Sequence, residues 1–189
     1  MKILKIAVCA LLAGAFFQSC TPAKQENNQE STAVSQAIWT PEQANAWYAK
    51  QGWLVGADFL PSTAINQLEM FQEATFDSAT IDKELGWAAG IGMNTMRVYL
   101  HDLLWEQDSS GFVKRLDVFL DLSAKHKIKP LLVLFDSCWD PFPKLGTPPA
   151  PRRGLHNSGW VQSPGLEALK DSTQHPRLEA YVKGTVRAF

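Results

Sequence analysis

Apolar and polar positions along the chain fall into a repeating order of strand-like and helix-like segments. Residues 53–60 (Trp-Leu-Val-Gly-Ala-Asp-Phe-Leu) are almost continuously apolar and closed by Pro61, as a strand buried on both faces reads. Ile81, Leu85, Ala88 and Ala89 then recur at helical spacing up to Gly90, and residues 95–100 form a second strand-like run. The unit repeats. Phe112, Leu116, Phe119 and Ser123 share one face of a helix opening at Gly111, with Lys125 and Lys127 where cations suit its dipole. Residues 130–135 give a third strand. A last helix from Pro176 carries Leu178, Tyr181, Val182, Thr185, Val186 and Phe189 on one stripe. Ahead of the first strand, Thr40-Pro41-Glu42-Gln43 has the elements of a capped helix start, with Ala44, Trp47 and Tyr48 on one face and Gly52 as a stop.

This order predicts an α/β fold with parallel strands and right-handed crossovers. An eight-unit parallel barrel takes about 250 residues, and three βα units are present here. Three strands alone would leave sheet edges and helix faces uncovered. The expectation is that residues 39–189 form the N-terminal part of a (β/α)8 barrel, truncated before a fourth strand.

The N-terminal region reads as an address. Lys2 and Lys5 precede an apolar run at residues 6–17, too short for a membrane-spanning helix of about 20 residues but suited to a secretory signal. Ser19-Cys20 follows, as in bacterial lipoprotein signals, which implies a signal peptide over residues 1–19 and a lipidated Cys20. Residues 20–38 are polar and read as a tether. With Cys9 lost and Cys20 acylated, Cys138 alone remains, so no internal disulfide is expected. The expected place is an outer-membrane or cell-surface lipoprotein, or the periplasm, touching the membrane through its lipid anchor only.

Composition narrows the chemistry. Apolar residues make up 46% and charged residues 20%, the balance of a chain with a core. A net charge of −1 offers no basic excess for a nucleic-acid partner. Seven Trp require burial or a role in a cleft. In parallel barrels the active site lies at the C-terminal strand ends, and polar residues gather there. Asp58 is near the end of the first strand, with Asn66, Gln67 and Glu69 in the loop beyond it. Arg97 lies inside the second strand; His101, Asp102 and Trp105 close it. Asp136 and Trp139 close the third, and the long loop that follows holds His156, Asn157 and Trp160. That loop, residues 136–175, is rich in Pro and Trp and is expected to be an ordered wall. Each residue has a plainer alternative: Arg97 in a structural ion pair, His101-Asp102 in a strand-end turn, Asp136 capping a turn, the two Trp packed beneath the loop.

Residues 53–59, 66–70, 94–105 and 134–139 resemble bacterial family 5-type glycoside hydrolases of clan A. Residues 156–165 (His-Asn-Ser-Gly-Trp-Val-Gln-Ser-Pro-Gly) are similar to a signature of a Bacteroidetes-type subgroup, cellulase-like or xylanase-like. The most portable motif is Gly-x-Asn-x-x-Arg-Val at residues 92–98, and the resemblance covers residues 52–189. It implies hydrolysis of β-linked glycans by a retaining mechanism with two glutamates about 5 Å apart, without cofactor or metal. It also implies that both glutamates lie beyond Phe189, so that these 189 residues carry no catalytic residue and are inactive alone. Arg97 matches an arginine that supports the nucleophile. His101, Asp136, Trp139, His156, Asn157 and Trp160 would bind or support the carbohydrate substrate. Two alternatives stay open: a metal-dependent barrel hydrolase using His101, Asp102 and Asp136, and a non-catalytic surface glycan-binding lipoprotein.

Overall fold

The computed structural model describes residues 38–189. The expected signal peptide, Cys20 and nearly all of the expected tether lie outside the described residues. Among the described residues no helix is long and apolar enough to cross a membrane.

The first helix, α1 (Pro41–Ala49), begins as the sequence predicts. The Gln43 amide donates to Thr40 Oγ1 at 3.3 Å and the Gln43 side chain accepts from the Thr40 amide at 2.9 Å, a complete capping box. None of its residues is buried. The chain turns at Gly52, whose φ of 70° suits glycine, and enters β1 (Gly56–Asp58). Here the structure corrects the sequence reading: β1 has three residues, all exposed, where a longer strand buried on both faces is expected. The cause is position. β1 is the edge of a three-stranded parallel sheet in the order β1-β2-β3, with β2 over Thr95–Tyr99 and β3 over Lys129–Val133. Among the described residues it has a single neighbour, and one face of the sheet carries no helix.

The other face is the core. On β2, Met96 and Val98 point inward and Arg97 outward. The inward side meets Ile81 and Leu85 of α3 (Ser78–Gly90), and Phe112, Leu116 and Phe119 of α4 (Asp102–Lys125), all buried. The helical faces read from Ile81 to Leu85 and from Phe112 to Ser123 are thus the packed ones. α4 begins nine residues before the predicted Gly111 start because it is two helices joined at Asp108, whose φ of −161° is extended. The Asp108 carboxylate caps the second half by accepting from the Gly111 amide at 2.9 Å.

A short helix read as loop, α2 (Gln67–Phe71), supplies Leu68, Met70 and Phe71 to the core. Phe71 meets Phe112 and Phe119 edge-on, with centroids 5.9 Å away in each case. Beyond β3 come α5 (Leu166–Lys170), a 3₁₀ turn at Ser172–Gln174, and α6 (His175–Ala188). Leu178, Tyr181 and Thr185 of the predicted α6 stripe are buried, whereas Val186 and Phe189 are exposed. The result is a mixed helix and strand fold with one small parallel sheet.

Candidate carbohydrate-binding cleft

Parallel pairing in register puts Asp58 beside Arg97, and residues on one face of β2 alternate, so Arg97 and Tyr99 share the face that no helix among the described residues covers. Arg97 Nε meets Asp58 Oδ1 at 2.9 Å, with both side chains about half exposed (48% and 47%). The guanidinium also lies 4.9 Å from the centroid of the Tyr99 ring, within cation–π range. Arg97 is therefore not alone in an apolar strand; its carboxylate partner is Asp58.

The long loop closes the opposite wall, and it is an ordered one. Buried polar side chains hold it by its backbone. Asn66 donates to the Gly159 carbonyl, and Gln67 to that of Val161, each at 2.9 Å. Gln72 grips Gly146 through both its amide nitrogen (3.1 Å) and its oxygen (2.6 Å). Asp136 and Ser163 exchange backbone hydrogen bonds at 2.6 and 2.9 Å. Gly159 lies so close to Ile65 that a Cβ there would fall 2.2 Å from its side chain, so only glycine lets the loop seat this deeply.

Held in this way, the loop brings Trp139, His156, Asn157 and Trp160 against Asp58, Arg97, Tyr99 and Asp136, around a concavity of about 460 Å³. The rings form a chain: Tyr99 to Trp160 at 6.2 Å, Trp160 to Trp139 at 5.6 Å, Trp139 to His156 at 5.5 Å, all tilted or edge-on. Trp139 keeps 37% of its surface exposed. Its φ of 77°, and the 49° of Asn157, lie in the left-handed region, which is costly for a residue as bulky as Trp and recurs at functional sites. A second hollow of about 150 Å³ lies beyond Trp160 and Tyr99, lined also by Asp58, Asn66 and Gln67. Aromatic faces beside fixed hydrogen-bonding groups suit sugar rings, which present C–H faces and hydroxyl edges.

Six of the seven residues expected to bind or support substrate thus line one hollow; His101 does not. It is fully buried. Its Nε2 lies 2.9 Å from the Gln162 carbonyl, and its Nδ1 lies 3.2 Å from the Leu103 amide and 3.1 Å from Asp102 Oδ1. Placement inside the core, not at the cleft, makes His101 an anchor of the loop. Asp102 beside it accepts from Arg177 Nη1 at 2.7 Å. Burial raises the Asp102 carboxyl, yet His101 and Arg177 outweigh it and hold the group below the usual carboxylate range. Asp136 also fails to meet His101 and Asp102 as a metal would require. Among the described residues no three His, Cys, Asp or Glu side chains converge in a way that could hold a metal ion.

Tyr99 and Cys138 are the two residues lining the hollow that are absent from the sequence candidates; Tyr99 carries a signal, standing two positions after Arg97 in a strand. Asp136, in turn, caps its own turn by accepting from the Cys138 amide at 3.0 Å. No family model, no curated protein and no solved structure matches the chain.

Proposed function

We propose that the hollow between the strand ends and the long loop is a sugar subsite, and that the chain belongs to a glycoside hydrolase acting on β-linked polysaccharides or oligosaccharides. One observation carries the reading: Trp139 and Trp160 line one hollow with the Asp58–Arg97 pair at the C-terminal ends of parallel strands. That is where α/β enzymes place their ligands. A sheet with helices on one face and an exposed Arg97 on the other also suits a barrel wall whose lumen is that open face.

Retaining hydrolysis needs two carboxyl groups about 5 Å apart. The residues lining the hollow include two aspartates and no glutamate, and Asp58 is already paired with Arg97. The hydrolase reading therefore assigns the acid/base and the nucleophile to polypeptide outside residues 38–189. It gives this chain binding without turnover. The same Trp139–Trp160 hollow also carries a second reading, a non-catalytic glycan-binding surface lipoprotein.

The test is calorimetric titration of the 189-residue chain with cello-, xylo- and manno-oligosaccharides, with malto-oligosaccharide as the α-linked control. Binding of a β-linked series is the expected result, and no binding by any of them would overturn both readings. Turnover by the full-length gene product separates the hydrolase from the binding protein.

A further inference from the structure

Four of the seven Trp play no part in the cleft or the core, and they collect at the other end of the sheet. Trp39, Trp47, Trp53 and Trp87 are all at least half exposed, Trp53 to 83%. Each can be placed by its connections. Asn94, just before β2, accepts from the Val55 amide and donates to the Trp53 carbonyl, both at 2.8 Å. Gln51, just after α1, meets Lys129 at the start of β3 at 2.6 Å. Trp39 packs on Trp47 of α1 at 6.0 Å. Trp87 and the exposed Ile91 lie at the C-terminal end of α3, which runs back to the start of β2. These rings therefore share the end where the strands begin, opposite the cleft.

The charge at that end is uneven. Lys50, Lys83, Lys125, Lys127 and Lys129 are exposed there, and Lys83 sits 5.1 Å over the Trp87 ring. The acidic groups facing them are Glu42, Asp82 and Asp121, and Asp82 is taken up by Lys125 and His126, each at 2.7 Å. A surface with exposed Trp, Tyr48 and Ile91 among exposed lysines, of which Asp82 engages only Lys125, matches a bilayer interface, where amphipathic rings sit at headgroup level and lysines meet anionic lipid. We propose that this end, formed by α1, residues 53–55 and the end of α3, docks on an anionic membrane surface. It does not require lipid on Cys20, though a tether over residues 20–38 would deliver α1 to the same surface. Docked in this way, the cleft faces away from the membrane, toward polymeric substrate.

Brominated phospholipid quenches Trp emission only at close range, so it reads which rings touch the bilayer. The full chain, as processed by a Gram-negative host, is placed on vesicles of equimolar phosphatidylglycerol and phosphatidylcholine, with flotation to confirm attachment. Brominated acyl chains are expected to quench the wild type and a W139F/W160F variant, but not a W39F/W47F/W53F/W87F variant. Quenching is expected to weaken on pure phosphatidylcholine and in high salt. Flotation without quenching would leave the anchor intact and overturn the docked face. Failure to float, self-association that hides these rings, or quenching confined to Trp139 and Trp160 would overturn it as well.

Discussion

Asp58 and Arg97 hold paired positions on neighbouring parallel strands, and their side chains meet at 2.9 Å on the uncovered face of the sheet. A half-exposed pair of this kind contributes about 0.2–1 kcal/mol to stability. Its use lies in fixing the guanidinium plane over Tyr99. Arg97→Lys keeps the charge but loses the fork and the flat stacking surface. Stability should change by less than about 1 kcal/mol, while glycan affinity falls at least about tenfold, roughly 1.4 kcal/mol. Urea denaturation and calorimetric titration of the same variant check both; parallel losses would make Arg97 structural only.

His101 should behave in the opposite way. Its ring fills a fully buried site and holds the Gln162 carbonyl. Removing a buried hydrogen-bonding partner costs about 1–3 kcal/mol, so His101→Ala should lower stability by at least that much. It should also open the loop between Asp136 and Ser163 to protease. Limited proteolysis with mass spectrometry reads the loop directly. Loss of binding with unchanged stability and protease resistance would return His101 to the list of substrate contacts.

Asp102 gives a pH signature. Burial opposes its ionisation, but His101 and Arg177 prevail, and its folded pKa lies below the unfolded value of about 3.9. A depressed carboxylate stabilises the fold fully above the unfolded pKa. That contribution is lost as pH falls through the folded value. Thermal melts from about pH 7 to about pH 2 should show an acid-side decline that is shallower in Asp102→Asn, a variant already destabilised at neutral pH.

Much of this architecture was legible in the chain because the periodic segments are also the packed ones. Phe112, Leu116, Phe119 and Ser123 recur at helical spacing and are the buried face of α4. What misled was burial decided by neighbours. The apolar residues 53–55 look like core, yet they lie outside the three residues that pair and are exposed. The five residues of α2 are too few for a periodicity, although its Asn66 cap, accepting from the Glu69 amide at 3.0 Å, leaves a local signature. Phe71→Ala should therefore cost about 3–5 kcal/mol in urea denaturation, far more than a loop residue would. The cleft was legible for a different reason: residues at successive strand ends meet whatever their separation in sequence. His101 broke that rule because α4 begins one residue later and turns its cap inward.

The proposed sugar platform of Trp139 and Trp160 is tested most directly by titrating Trp160→Ala and Trp139→Ala with the β-linked hexasaccharide that binds the wild type best, using Trp53→Ala as the control. Stacking on a sugar ring predicts at least about a tenfold loss for each cleft variant, roughly 1.4 kcal/mol. Trp53→Ala, at the far end of the sheet, should bind as the wild type does. Undiminished affinity in both cleft variants, with their folds intact, would contradict the account.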